Sequence, residues 1–269
     1  MLQLCWADEA ALETNNRGLT YGDGLFETLR VEGASAPLLS YHLDRLVRDA
    51  GRLGIPVARH DIARHCDSAL ARYCGLYGDA VWILKLILTR GEGGRGYRPA
   101  PNMRPTLILQ HAPAPQAPPA AGVYVDFSRV PLTVNPVLSG IKTLNRLEQV
   151  MAARELVDPV FEVLMSNAAG DVVEGTRTNL FVRLPEGWVT PPASSLAVSG
   201  VMRQRVIERL HSAGEALTER PLGLGELVGH SCQAICLTNS VLGVVPVRNL
   251  AGQDLPVDSM LATICSPSN

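Results

Sequence analysis

The chain carries 24 Lys plus Arg, yet only two of these, Lys85 and Lys142, are lysines. Arginine stays protonated and its guanidinium is a poor nucleophile. A partly buried lysine can shed its proton and attack a carbonyl. Lys142 lies in "SGIKTLNRLEQV" (139–150), at the end of an apolar stretch where incomplete hydration lowers an ammonium pKa. It is therefore the candidate nucleophile. Lys85, in "VWILKLILTR", alternates with Leu84 and Leu86 along a strand pattern. It reads as a structural lysine whose stem packs and whose head reaches solvent or a carboxylate.

Three further stretches carry groups that would complement such a lysine. "EGTRTNLF" (174–181) sets one carboxylate, Glu174, at the end of an apolar strand and before a glycine. On residue type alone, a solvated turn carboxylate is the more ordinary alternative. "SGVMR" (199–203) is a small-residue turn opening a helix, where backbone N–H groups and the helix dipole suit an anion. "LTNS" (237–240) brings Asn239 and Ser240 to a strand end, as a plain turn or as further phosphate contacts. A lysine for an aldehyde, a carboxylate for a pyridine nitrogen and a helix start for a phosphate together suit pyridoxal phosphate.

These groups need a scaffold of two parts. The sharpest composition shift is the Pro/Ala-rich segment 112–122, which stays extended and reads as a linker. It separates an N-terminal α/β domain (1–111) from a C-terminal domain (123–269). In the first, "GLFETLRVEGASAPLLS" suggests a hairpin. Ser40 then caps a helix with Leu43, Leu46, Val47 and Ala50 on one face, and a second helix carries Ile62, Cys66, Ala69 and Leu70. Two β-rich runs, "AVWILKLILTRG" and "RPTLILQHA", are joined by a Gly-rich loop. In the second, a helix is expected directly after Lys142, followed by a strand meander over 161–192, a helix in "SGVMRQRVIERLHSAG" opened by Ser199 and Gly200 and closed by Gly214, and a last strand pair, "AICLTNSVLGVVPV" and "RNLAGQDL".

Composition narrows the class. Hydrophobic content of 46%, charge of 19% and a net charge of −2 describe an ordinary globular chain with no pull toward nucleic acid or anionic lipid. No apolar run reaches the roughly 18 residues of a membrane span, and "MLQLCWADEA" does not read as a signal peptide. The six cysteines fit neither a disulfide framework nor a four-ligand metal site; Cys232 and Cys236 read as core positions of one strand, and no metal is expected. A reducing cytoplasm is the expected compartment. "GEGGRG" joins two strands rather than opening a helix, so it is no dinucleotide fingerprint.

Six motifs occur in order along nearly the whole chain: "YGDGLFETLR", "HLDRL", "RGEGGRGY", "GIKTLNRLEQV", "EGTRTNLF" and "SGVMR". In this order they resemble the fold-type IV pyridoxal-phosphate enzymes, a family of branched-chain aminotransferases, D-amino-acid aminotransferases and 4-amino-4-deoxychorismate lyases. The pairing of "GGRGY" with "IKTLNRLEQV" is most similar to the lyase branch. The resemblance implies a two-domain α+β fold with a smaller N-terminal α/β domain and a larger C-terminal mixed-sheet, barrel-like domain. It implies Lys142 as the Schiff-base lysine and Glu174 as the acid at the pyridine nitrogen. Arg45, the Val201 and Met202 amides, Asn239 and Ser240 fall at the phosphate. Phe26, Thr28 and Arg30 line the substrate side, with Arg95 and Tyr97 on the covering loop. It further implies a cytoplasmic homodimer acting on a small molecule. The implied reaction is cleavage of 4-amino-4-deoxychorismate to 4-aminobenzoate and pyruvate, in folate biosynthesis; transamination of D- or branched-chain amino acids is the alternative. The chain departs from branched-chain aminotransferases at Thr178, where they carry glutamate, and at Thr28, where they carry glycine. Thr28 is thereby a candidate to position substrate or a proton.

Overall fold

The computed structural model describes residues 2–9, 11–93 and 95–265; Gly94 of the Gly-rich loop lies outside them. The chain forms two compact units. The first comprises Met1–Pro115 with Lys142–Asn145, the second Gln116–Ile141 with Arg146–Pro267.

The first unit runs β1 (Gln3–Trp6), α1 (Arg17–Tyr21), β2 (Gly24–Glu32), α2 (Leu39–Arg52), α3 (Arg59–Tyr77), β3 (Val81–Thr89) and β4 (Thr106–Pro113). Its sheet has the order β1-β4-β3-β2, antiparallel except for the parallel β1–β4 edge. Alternation along β2 sends Leu25, Glu27, Leu29 and Val31 to a fully buried face, and Phe26, Thr28 and Arg30 to the half-buried opposite one. On the helix side, Leu43, Leu46 and Ala50 of α2 and Ile62, Cys66 and Ala69 of α3 complete the core.

Three local expectations are corrected here. The hairpin after β2 does not form: only an isolated Glu32–Ser35 bridge follows, and β2 pairs instead with β3, from Gly24–Thr89 to Glu32–Val81. Ser40 is not a cap; α2 starts at Leu39 with Leu38 at the N-cap and no side-chain cap bond. β4 extends through Ala112 and Pro113, so the Pro/Ala-rich stretch begins as the tail of that strand.

The second unit runs β5 (Val123–Phe127), α4 (Leu147–Ala153), β6 (Val160–Ser166), β7 (Val172–Gly175), β8 (Asn179–Leu184), β9 (Gly187–Thr190), α5 (Val201–Ser212), β10 (Leu217–Glu219), α6 (Leu224–Val228), β11 (Ala234–Asn239), β12 (Gly243–Leu250), β13 (Gln253–Asp254) and α7 (Met260–Ile264). Its mixed sheet has the order β10-β9-β8-β11-β12-β5-β6-β7, with β13 on β12. A core of Val125, Leu164, Leu180, Val182, Ile235, Leu237, Val245 and Val247 fills one face. A smaller cluster gathers Leu132, Ala152, Val163, Met165, Val173 and Leu196. Two more expectations change. "AICLTNSVLGVVPV" is itself a hairpin, β11–β12, closed by Asn239–Gly243 pairing, and Cys232 lies before β11, although both it and Cys236 are buried. The helix near Lys142 starts only at Leu147, because residues 142–144 have another use.

Candidate active site

That use is the free edge of β2. Phe26 N–H donates to Lys142 O at 3.1 Å, Leu144 N–H donates to Gly24 O at 3.0 Å, and Thr143 bridges Leu25. A lysine whose own backbone is hydrogen-bonded this way has its Cβ direction fixed. Its ammonium sits 4.1 Å from the centroid of the Phe26 ring, a cation–π contact on a half-buried side chain. The Lys85 ammonium approaches the same ring at 5.4 Å, but lines an open cavity of about 390 Å³ with Asp8, Gln110 and His111.

Beneath Phe26, on the buried face of β2, stands a charged residue where alternation demands an apolar one. Glu27 is 1% exposed. Arg45 grips it with two parallel bonds, Nε to Oε1 at 2.8 Å and Nη2 to Oε2 at 2.5 Å, and His42 Nδ1 lies 2.6 Å from Oε2. Burial pushes the Glu27 carboxyl up, but the Arg45 charge and hydrogen bonds and the His42 bond outweigh it, holding the group at about 2. Burial pushes His42 down, and the cations Arg45 and Lys142 add to that against the opposing pull of Glu27. The imidazole is thus neutral, Nδ1 donates, and Nε2 is a buried acceptor with no hydrogen-bond partner.

The Gly-rich loop is tied to α1. Arg17, 3% exposed, donates from Nη1 to Gly96 O at 3.0 Å and from Nη2 to Tyr97 O at 2.8 Å. Its Nε is held by Asp23 at 2.8 Å, which Arg90 also grips. Tyr21 accepts from Gly96 N–H at 3.1 Å and meets Tyr97 edge-on at 5.6 Å. Arg95 and Tyr97 themselves are exposed, Tyr97 at 87%. On β2, Thr28 is half-buried, and Arg30 Nε bonds Glu32 at 2.9 Å.

In the second unit Glu174 is no solvated turn residue. It lies inside β7 at 3% exposure, its Oε2 accepting from Val198 N–H at 3.2 Å and from Asn179 Nδ2 at 3.4 Å. Asn179 Nδ2 also donates to Val198 O at 2.9 Å, while its Oδ1 accepts from Gly200 N–H at 3.1 Å. Gly200 is the N-cap of α5. Helix geometry leaves the next N–H groups, those of Val201 and Met202, without carbonyls four residues back. Both residues are buried. A β-carbon at Gly200 would lie 2.1 Å from Asn179 Oδ1, so only glycine fits.

The turn between Glu174 and Asn179 closes around a second buried carboxylate. Glu162, 0% exposed on β6, accepts from Thr176 N–H at 3.1 Å, Thr176 Oγ1 at 2.6 Å, Arg177 N–H at 3.3 Å and Thr178 Oγ1 at 3.0 Å. The Thr178 hydroxyl is therefore committed to the turn. Asn239 is likewise a turn residue: its Oδ1 accepts from Val241 N–H at 3.0 Å and Leu242 N–H at 2.8 Å. Ser240 follows it at the β11–β12 turn, half-buried.

The "Amino-transferase class IV" family model matches residues 24–250. The chain belongs to this family. It is 30% identical over 247 residues to an aminodeoxychorismate lyase of Vibrio harveyi, covering 90% of this chain and 89% of that protein. It is 25% identical to a D-alanine aminotransferase of Bacillus licheniformis over 259 residues, covering 92% and 86%. A solved 4-amino-4-deoxychorismate lyase structure from Pseudomonas aeruginosa superimposes with TM-score 0.86 and 39% identity, covering 95% of this chain and 93% of that one.

Class IV enzymes of this two-domain α+β fold depend on pyridoxal phosphate. The donor set fits that group. In the first unit a half-buried amine, Lys142, is of the type that suits its aldehyde, and a buried guanidinium, Arg45, the type that suits a phosphate; in the second, the buried carboxylate of Glu174 is of the type that suits a ring nitrogen, and the α5 N–H groups an anion. Thr238 Oγ1 adds an observation of this structure: it is buried without a hydrogen-bond partner, on the strand position paired with Asn179. Orphan polar atoms of that kind are rare in a finished interior.

Four buried polar residues bonded to or beside the candidate positions escaped sequence reasoning: Arg17 and Glu27 in the first unit, Glu162 and Asn179 in the second. For Glu27 a signal existed. Strict alternation in "GLFETLRVE" puts it in line with Leu25, Leu29 and Val31, and a charge on an apolar stripe demands a buried partner. Glu162, inside "FEVLM", carried the same mark.

Proposed function

We propose that this chain is a pyridoxal-phosphate-dependent carbon–oxygen lyase that converts 4-amino-4-deoxychorismate into 4-aminobenzoate and pyruvate. The observation that carries the reading is the 39% identity, across 95% of the chain, to a structure bearing the lyase name. The aminodeoxychorismate lyase relative from Vibrio harveyi supports it.

Bound pyridoxal phosphate supplies an electron sink conjugated to the substrate's nitrogen. Lys142 would hold its aldehyde at rest. Once the substrate amine is bound, the free ε-amine removes the proton from the ring carbon bearing that nitrogen and returns it to the departing pyruvate enol, one residue serving as base and then acid. Glu174 would keep a proton on the pyridine nitrogen. Arg45, fixed by Glu27, is assigned to the phosphate, and so, in the second unit, are the Val201 and Met202 amides and Ser240. Thr28 orients substrate beside Phe26, and Arg30 and Arg95 offer planar forks to its carboxylates, with Tyr97 on the covering loop. Asn239 acts by shaping the turn that presents Ser240. The ring becomes aromatic as the carbon–oxygen bond breaks, which drives the reaction forward.

A second reading, transamination, rests on the D-alanine aminotransferase similarity and on 30% identity to a putative branched-chain-amino-acid aminotransferase of Methanocaldococcus jannaschii. The deciding experiment follows 4-aminobenzoate release by wild type and Lys142→Ala side by side. Product from wild type alone supports the lyase and its lysine. No product from either, with turnover of D-alanine or branched-chain amino acids against 2-oxoglutarate, moves the assignment to the second reading.

We also place the enzyme in the cytoplasm as a homodimer. Among the described residues no helix is long and apolar enough to cross a membrane. Leu147, Val150 and Met151 lie at helical spacing on the outward side of α4, exposed at 73%, 56% and 42%, a stripe suited to a second copy of this chain. Sedimentation of wild type against Val150→Glu tests this; a monomeric wild type would sink it.

A further inference from the structure

We infer that Asn179 is a positioning residue that couples Glu174 to the start of α5, so that an anion bound at the helix start tightens the hold on a heterocycle at the carboxylate. The inference rests on the cofactor reading above and goes beyond it, because neither Glu174 nor the α5 amides need a mutual link to do their separate work.

The geometry is a closed ring of contacts. Asn179 is 5% exposed. Its Nδ2 donates to Glu174 Oε2 and to Val198 O, and its Oδ1 accepts from Gly200 N–H. Val198 N–H returns to the same Glu174 oxygen, and one residue, Ser199, separates Val198 from Gly200 along the chain. Both carboxamide hydrogens are thus used, and one oxygen lone pair. Aspartate would keep the acceptor but lose the donor facing Glu174; alanine loses both. The close approach at Gly200, where a β-carbon would overlap Oδ1, fixes the amide against the helix start. Three of the ring's contacts lie between 2.9 and 3.2 Å, whereas the Asn179–Glu174 bond is long at 3.4 Å. It is the link with room to shorten. Catalytic hydrogen bonds of ligand-free sites commonly tighten this way on binding. An anion that draws the α5 start into place moves Gly200, then Asn179, then the oxygen of Glu174.

The test divides the cofactor. Full-length protein stripped of cofactor is titrated with pyridoxal, which lacks the phosphate, in the presence and absence of inorganic phosphate, and the bound chromophore is read by absorbance. In wild type, phosphate tightens pyridoxal about tenfold, a usual coupling strength. In Asn179→Ala that factor falls to near one, while pyridoxal alone binds within a few fold of wild type. In Asn179→Asp the acceptor to Gly200 persists but a carboxylate faces Glu174, so the pH midpoint of the bound chromophore shifts upward. Coupling of equal size in Asn179→Ala, or an unmoved midpoint in Asn179→Asp, overturns the inference and leaves the cofactor reading intact. A wild type that binds pyridoxal phosphate yet shows no coupling does the same. A wild type that takes up no pyridoxal phosphate at all overturns the cofactor reading and the inference with it. Circular dichroism of each variant keeps a misfolded protein from counting as support, and Asn179→Ser serves as a replacement should Asn179→Ala not fold.

Discussion

Arg45 and Glu27 form a two-bond ion pair on the buried face of β2, opposite Phe26 and Thr28, with the carboxylate 1% and the guanidinium 5% exposed. A pair so placed orients the arginine; its contribution to stability depends on both partners being present.

That pair sets an acid limit. Glu27 sits at about 2 against an ordinary 4.5, so the stability it lends is complete above about 4.5 and is lost as pH falls toward 2. His42, lowered from 6.5 by burial, acts in the same direction: its contribution is whole above its unfolded pKa and fades as acid forces a charge into the interior. Denaturant unfolding between pH 7 and pH 2 should therefore show stability falling throughout. Glu27→Gln should flatten the lower part of that curve while costing roughly 3–5 kcal/mol at pH 7, since Arg45 is left buried without its counterion. A Glu27→Gln curve parallel to wild type below pH 4.5 would refute this.

Borohydride reduction of the holoenzyme should fix the cofactor on Lys142 and leave Lys85 unlabelled, read by peptide mass. Lys85→Met should keep turnover within about twofold, because Lys85 stands farther from the Phe26 ring than Lys142 does and lines an open cavity with Asp8, Gln110 and His111. Label on Lys85 would reverse the two roles.

Arg17 gives the loop of Arg95 and Tyr97 two backbone bonds and an aromatic floor at Tyr21. Arg17→Gln should raise KM more than it lowers kcat. It should also speed tryptic cleavage after Arg95 by about tenfold, since local opening costs less once those bonds are gone. Unchanged cleavage would mean the loop is held by other contacts.

Glu162→Gln turns one acceptor oxygen into a donor facing the N–H and hydroxyl groups of Thr176, Arg177 and Thr178. A loss of roughly 2–4 kcal/mol is expected by denaturation. Thr176→Val should cost part of that and Thr176→Ser almost none; equal costs for valine and serine would show that the hydroxyl bond is idle.

Thr28→Ala should lower kcat about tenfold with cofactor affinity unchanged, if its hydroxyl orients substrate or a proton. Unchanged turnover removes the role.

The candidate residues were legible where their motifs are local. Lys142 stood out through the arginine bias, whereas Glu174, on residue type alone, read more readily as a solvated turn carboxylate and was singled out by its motif; its burial in β7 comes from the fold. The misreadings share one cause, contacts between residues far apart in the chain. β2 looked like half of a hairpin because Gly33 follows it, yet its partner begins at Val81. Residues 143–146 look helical by composition, but the edge of β2 offered 142–144 hydrogen bonds that a helix could not match. Asn179 passed as an ordinary strand-start polar residue because its partners, Val198 and Gly200, come some twenty residues later. Arg17 is one of many scattered arginines until the loop that begins at Gly91 folds over it.

The strip from Lys142 to Leu144 also decides how the protein behaves in a crowded solution. A nine-residue strand rich in leucine and valine, left with an open edge, is a template for edge-to-edge association with other chains. The backbone of Lys142 to Leu144 occupies the first part of that edge, from Gly24 to Phe26. Substitutions that loosen the strip should thus announce themselves first as lost solubility during expression, before any assay of turnover is run.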